Sequence, residues 1–151
     1  MKELIRNEKL EEQMEERRKE SKEANIIIGV EENEDESEFV NKLLQDVNMI
    51  TKTNYISRIG TKSIRTRPIK VVFSSGHEKY KFTRKLTELR HHHRYSKISV
   101  TDDMTKMERE LMKKWKREAD ERNQRDPNEK YKWRVRGSPR DGLYLKKIHI
   151  L

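Results

Sequence analysis

The run Pro68-Ile69-Lys70-Val71-Val72-Phe73 decides the predicted fold of this chain. Within this run the apolar residues Ile69, Val71 and Phe73 alternate with Lys70 and Val72. Alternation with a period of two is typical of a strand that has one face packed on a core and the other face open. The segment therefore predicts one strand of a sheet that is covered on one side only.

Three more strands and two helices are predicted around this run. Short β-branched segments predict the strands at residues 26–30, 55–59 and 97–100. A helix capped by Ser37 carries its apolar residues on one face, at Phe39, Val40, Leu43, Leu44 and Val47. A second helix at residues 77–90 directs Phe82, Leu86 and Leu89 inward. The order strand, helix, strand, strand, helix, strand over residues 25–104 predicts an α+β fold of the split βαβ type, with four antiparallel strands behind two helices.

Different structures are predicted on either side of this region. Residues 1–24 are almost entirely charged and predict a solvated helix, and the sparse apolar Leu4, Leu10 and Met14 leave open whether it is a lone helix or the end of a coiled coil. In residues 105–151, Thr105 and Glu108 have the spacing of a capping box. The helix that they begin is predicted to end before Asp126 and to carry one apolar stripe, formed by Met104, Met107, Leu111, Trp115 and Ala119. A terminal β-hairpin follows.

Positive charge is concentrated in the middle of the chain. Residues 58–97 hold twelve lysines and arginines against two glutamates, a local charge of +10 compared with +9 for the whole protein. A folded surface of this charge is suited to a polyanion, and nucleic acid is the leading candidate. We expect these cations to share one solvent-facing region.

The composition excludes several classes of protein. With 42% charged and 31% hydrophobic residues, about half of the chain has enough apolar side chains to pack tightly. No cysteine is present, which excludes disulfides, thiolate zinc sites and a cysteine nucleophile. The longest apolar run, Ile26-Ile27-Ile28, is far shorter than the roughly 20 residues of a membrane helix. We expect a soluble intracellular protein with no membrane partner.

The predicted strand order is that of the RNA-recognition-motif domain, which stacks bases on aromatic side chains of its two central strands. Here Ile27, Lys70 and Val72 occupy the open positions of those strands, so the aromatic platform is missing. The absence of this platform favours nucleic-acid binding that is driven by charge and directed to the sugar-phosphate backbone, with little sequence preference.

Three segments resemble a known family when taken in order: residues 55–60, residues 67–73 before a basic helix, and residues 98–105. They are similar to the first-open-reading-frame protein of non-LTR (LINE-type) retrotransposons, and Arg58 and Arg67 match its basic motif positions. The resemblance implies a variant RNA-recognition fold with a basic carboxy-terminal portion, and a homo-oligomer formed through the N-terminal helix. It also implies a nucleic-acid chaperone that packages element RNA in a cytoplasmic ribonucleoprotein, with a nuclear location as the alternative.

The predicted partner is single-stranded RNA, with single-stranded DNA as a second ligand. The predicted nucleic-acid-binding residues are Arg58, Lys62, Arg65, Arg67, Lys70, Arg84, Lys85, Trp133, Arg134 and Arg136. Trp133 is the stacking candidate because basic residues surround it, whereas Trp115 is expected to be buried. The alternative function is a protein–protein interaction module of the same fold that binds through exposed Ile27 and Val72.

Catalysis, cofactors and metals are not predicted. The chain has no phosphate-binding glycine loop and no nucleophile elbow. The histidines at residues 91–93 lack spaced partner ligands, so no metal site is predicted there. Asp102 and Asp103 precede a capped helix, which favours a role in a loop and at the helix dipole over a catalytic pair.

Overall fold

The structure is a computed structural model that describes residues 2–32, 35–62, 65–89 and 95–150. The chain divides into two compact units, Met1–Asp103 and Met104–Leu151. The first unit contains α1 (Lys2–Lys22), β1 (Asn25–Gly29), α2 (Glu36–Asp46), β2 (Tyr55–Arg58), β3 (Ile69–Val72), α3 (Gly76–Glu88) and β4 (Ser99–Asp102). The second unit contains α4 (Lys106–Arg125), β5 (Tyr131–Ser138) and β6 (Gly142–His149).

The first unit is built on a four-stranded antiparallel sheet with the strand order β2-β3-β1-β4. In the central part of this sheet, Ile27 lies opposite Lys70 of β3 on one side and Thr101 of β4 on the other. The α+β class, the order of strands and helices and the antiparallel sheet are confirmed.

One face of this sheet forms the core together with α2 and α3. Ile28, Ile69 and Val71 are completely buried there with α2 and α3 side chains such as Leu43 and Phe82. The rings of Phe73 and Phe82 lie 5.2 Å apart in a tilted arrangement. Because successive strand residues point to opposite faces, the intervening residues lie on the other side of the sheet. This side, the open face, carries Ile27, Lys70 and Val72.

The predicted cap of α2 and the predicted start of β4 are each wrong by two residues. Asp35 caps α2 instead of Ser37, because its side chain accepts a hydrogen bond from the backbone N–H of Glu38. β4 begins at Ser99, since the backbone N–H of Ile98 donates to the carbonyl of Tyr95 and holds that residue in the preceding turn. At both positions a neighbouring residue is equally suited to the same role. The sequence pattern therefore does not identify which residue caps the helix or begins the strand.

The N-terminal helix α1 agrees with the predicted charged helix. Its apolar side chains are exposed, with Leu4 at 65% and Met14 at 49%, so they remain available as a seam for another helix. The coiled coil stays a prediction. None of the helices in the described parts of the chain combines the length and apolar character needed to cross a lipid bilayer.

The second unit is a helix with a β-hairpin. Thr105 and Glu108 form the predicted capping box at the start of α4. The predicted apolar stripe of α4 is partly wrong, because Met107 and Leu111 are exposed and Glu108 is buried, whereas Ala119 is buried as predicted. The inward position of Glu108 is stabilised by Arg140 of the hairpin turn, which donates to both carboxylate oxygens at 3.2 and 3.3 Å. This ion pair joins the start of α4 to the turn between β5 and β6.

Candidate nucleic-acid interface

Arg58 binds the backbone of its own unit. At the end of β2 its guanidinium donates to the carbonyl oxygens of Val30 at 3.0 Å, Arg67 at 2.7 Å and Glu31 at 3.1 Å. These bonds hold together the segments that follow β1 and precede β3. Arg58 is therefore used in organising the loops, and a phosphate would have to compete with three carbonyl groups for it.

Arg67 is paired with a carboxylate from the acidic loop after β1. Its Nε and one terminal nitrogen donate to the two oxygens of Glu32, each at 3.1 Å, and its backbone N–H donates to the same carboxylate at 2.7 Å. These bonds from Arg67 lower the pKa of Glu32 to about 2. The bidentate geometry is the one that arginine also uses for phosphate, so Glu32 occupies the anion position at Arg67.

Lys70 lies on the open face of the sheet and is paired with Asp103. The Asp103 carboxylate accepts a hydrogen bond from Asn25 at 2.9 Å and one from Lys22 at 3.2 Å, and the ammonium of Lys70 lies 3.7 Å away. Desolvation raises the pKa of Asp103, but the hydrogen bonds from Asn25 and Lys22 and the nearby lysine charges outweigh it, so the net pKa is lowered. The expected helix-dipole role of Asp103 is wrong, since this side chain joins α1, β1 and β3.

We expect Asp103→Asn to destabilise the first unit by about 1.5–3 kcal/mol at neutral pH, because a buried acceptor of charged hydrogen bonds is lost. A lowered pKa contributes stability above the ordinary carboxyl range, and that stability is lost as the pH falls through the lowered pKa. The variant should therefore approach the wild type in acid. Urea unfolding followed by circular dichroism, at neutral pH and below about pH 3, measures both effects.

Asp102→Asn is the matched control for this prediction. Asp102 forms a 2.8 Å ion pair with Lys79, but its side chain is 39% exposed, so the control should cost no more than about 1 kcal/mol. Equal losses in the two variants at every pH would show that Asp103 has no special role in joining the elements.

The remaining predicted cations of the first unit lie elsewhere. Arg84 and Lys85 are on α3, across the sheet from Lys70, where Arg84 contacts the Tyr80 ring and Lys85 donates to the carbonyl of Asn48. Lys62 and Arg65 are exposed in the β2–β3 connection. The described cations of the middle region therefore do not share one surface, contrary to the expectation from charge density.

The hairpin of the second unit presents a set of exposed cations without ion pairs on one face. Strand alternation places one group of exposed basic side chains on one face, the outer hairpin face: Lys132, Arg134, Arg136 and Lys146. Among the described residues none of these four forms an ion pair, and the strand residues of this face include no carboxylate. The acidic side chain of the turn, Asp141, accepts a hydrogen bond from Ser138. This face is therefore positively charged and forms no ion pair with a described carboxylate, although Asp120 of α4 lines the same groove as Lys132, Arg134 and Arg136.

Trp133 lies on the opposite hairpin face and is half-buried against α4. Arg122 of α4 stacks over its ring at 4.8 Å, and Asn123 exchanges two hydrogen bonds with its backbone, of 2.7 and 3.1 Å. A groove of about 600 Å³ follows this contact, lined in part by Lys116, Trp133, Arg134 and Arg136. The structure thus brings Trp133 near two predicted cations, but Arg122 already covers the ring.

Two exposed aromatic side chains that were not among the predicted site residues lie near candidate binding surfaces. Tyr55 is 56% exposed and lies opposite Val72 on the open face of the sheet. Tyr144 is 53% exposed and lies opposite Arg136 on the outer hairpin face. The alternation of each strand contained the signal, since Ile56 and Leu145 face the packed sides and place the preceding tyrosines outward.

The absence of a metal site at the three adjacent histidines stays a prediction. The histidines at residues 91–93 lie outside the described residues, and the described part of the chain contains no group of three potential ligands.

No protein-family model matches this chain, and no curated protein matches it.

Proposed function

We propose that this protein binds single-stranded RNA with little sequence preference, and that the outer hairpin face is its main contact surface. The observation that carries the proposal is the group of four exposed cations on that face, which no described carboxylate neutralises. A surface of this kind attracts phosphates and gains affinity from counterion release. The hairpin is thus a better phosphate site than Arg58 or Arg67, whose donors are already engaged.

The same surface favours a single strand over a duplex. Lys132, Arg134 and Arg136 alternate along one strand, which spaces neighbouring cations by roughly 7 Å. Such a row follows one extended backbone, and the exposed Tyr144 beside it provides an aromatic surface for an unpaired base. No pocket that reads base edges is needed for this mode of binding, which accounts for the proposed tolerance of sequence.

The proposal also assigns a role to the first unit. Its strand order and open sheet face fit a variant RNA-recognition fold, and they agree with what the resemblance to LINE-type first-open-reading-frame proteins implies. In that interpretation, α1 joins copies of the chain through its exposed apolar residues, and the protein packages element RNA as a chaperone in a cytoplasmic ribonucleoprotein. Several hairpins in one oligomer would bind the same strand with increased avidity.

The salt dependence of binding tests this function. For four phosphate contacts to a single strand, the logarithm of affinity plotted against the logarithm of salt concentration should have a slope of about −3 or steeper. Gel shifts at several ionic strengths with single-stranded RNA, single-stranded DNA and duplex measure it, with light scattering on the same samples. Tighter binding of duplex than of single strand, or a slope near zero, would reject the proposal.

A protein-interaction function is the second candidate, and the open face of the sheet favours it. On that face the Asp103 carboxylate forms ion pairs with Lys70 and with Lys22 of α1, while Tyr55 is exposed and Val72 is half-buried. A partly apolar surface whose lysines are already ion-paired is better suited to a protein than to a phosphate backbone. Partners that remain bound to the purified protein after nuclease treatment would support this function, whereas their loss would support RNA binding.

A further inference from the structure

The outer hairpin face carries one aromatic side chain whose ring forms no aromatic or cation–π contact with the described residues. This residue is Tyr144 of β6, which is 53% exposed. The rings of Tyr131 and His149, in contrast, contact each other at 5.0 Å on the other hairpin face, and Lys147 lies over Tyr131. Tyr131 therefore contributes to the hairpin itself, whereas the ring of Tyr144 is available to a ligand.

The hairpin requires glycine beside Tyr144, at position 137. Gly137 has a φ of +83°, and a Cβ built there would collide with the carbonyl oxygen of Gly142. The same Cβ would lie 3.5 Å from the Tyr144 ring, which is an ordinary contact distance. A side chain at position 137 would therefore strain the backbone of the hairpin that presents Tyr144.

The cations around Tyr144 are arranged for a charged polymer. Arg136 lies directly opposite Tyr144 in the register, and the next outward pair along the hairpin is Arg134 with Lys146. A base stacked on the ring would place its own phosphate and the adjacent one within reach of these side chains, which extend several ångströms from the sheet. The combination of a free aromatic ring and flanking cations is the arrangement that single-strand binding surfaces use.

We propose that Tyr144 is a base-stacking residue, and that the outer hairpin face binds an unpaired nucleotide through this ring while Arg134, Arg136 and Lys146 contact the phosphates. This inference rests on the proposed function and assigns the aromatic contact that the central strands of the sheet lack. It places that contact on β6 rather than at Trp133, whose ring is covered by Arg122. An acidic peptide would use the cations but not the ring, so RNA and protein ligands differ in their dependence on Tyr144.

The experiment compares full-length Tyr144→Ala, Tyr144→Leu and Tyr144→Phe with the wild type. The probes are oligouridylate and an abasic strand of the same length, titrated at two salt concentrations. Removal of the ring should lower the affinity for oligouridylate by about 5-fold or more, since a stacked base is worth about that factor at least. The affinity for the abasic strand and the salt slope should not change, and Tyr144→Phe should bind like the wild type.

Tyr80→Ala is the matched control, because Tyr80 is 59% exposed on α3 of the other unit. It should bind both probes like the wild type. If Tyr144→Ala retains the full preference for oligouridylate and the steep salt slope, the stacking role is wrong while RNA binding stands. If the wild type binds neither probe, or if polyglutamate competes as well as oligouridylate does, both the stacking role and the proposed function are wrong.

Discussion

Replacing Lys132, Arg134, Arg136 and Lys146 together with alanine should reduce the affinity for single-stranded RNA on the order of a hundredfold to a thousandfold at about 0.1 M salt. The four side chains are exposed, lie on one hairpin face and have no carboxylate partner among the described residues. Their loss removes the counterion release that drives binding. The slope of log affinity against log salt should become shallower by about 3, and fluorescence anisotropy across a salt series measures both quantities.

A variant with the same loss of charge elsewhere separates position from net charge. Lys2, Arg6, Lys9 and Arg17 are exposed on α1, and replacing them with alanine also removes four positive charges. This control should retain affinity within about fivefold, because it leaves the four proposed phosphate-contacting cations of the outer hairpin face in place. Equal losses in both variants would mean that the net charge of the chain, and not the hairpin face, determines binding.

The second large effect is expected from Arg140→Ala, which should destabilise the second unit by about 3–5 kcal/mol. Arg140 is the bidentate partner of Glu108, and the Glu108 side chain is only 3% exposed. Removing the guanidinium takes a bidentate positive charge away from a buried carboxylate, which keeps the hydrogen bond from the backbone N–H of Thr105. A unit this small has little core to compensate, so loss of a single buried ion pair should unfold much of it.

Tryptophan fluorescence isolates this effect. The sequence contains two tryptophans, and both Trp115 and Trp133 belong to the second unit. Urea unfolding followed by their emission therefore reports on α4 and the hairpin. Arg125→Ala is the control, because the Arg125–Glu118 pair is exposed and should contribute no more than about 1 kcal/mol. A loss below about 1 kcal/mol in Arg140→Ala would show that water replaces the ion pair without penalty.

Local patterns in the sequence were enough to predict most of the architecture. The alternation of Ile69, Val71 and Phe73 and the Thr105–Glu108 capping box are satisfied within a few residues, and the structure retains both. The start of β4 and the cap of α2 were misplaced because neighbouring residues have the same propensity. The inward position of Glu108 was also missed, since it depends on Arg140, which lies 32 residues away.

The candidate site was harder to predict because charge density does not reveal which charges are free. Arg67 was assigned to phosphate binding, but it pairs with Glu32, which lies 35 residues away. Arg58 is likewise engaged by carbonyl groups that only the folded chain brings together. In contrast, Arg134 and Arg136 follow directly from alternation along one strand, and the structure leaves both exposed. The outward position of Tyr144 also follows from alternation, whereas its pairing with Arg136 and that of Lys146 with Arg134 required the register of the hairpin to be known.

The hairpin register places Arg134 opposite Lys146, and this pairing destabilises the hairpin when no ligand is bound. Like charges facing each other across two strands repel and weaken the pairing. Dissolved ions relieve this repulsion, yet the same ions compete with a nucleic acid for the hairpin. A bound polyphosphate chain relieves it as well, so at low salt the hairpin should melt at a higher temperature when occupied than when empty. Ligand and fold would then support each other, with the polymer serving as the counterion that the chain itself does not provide.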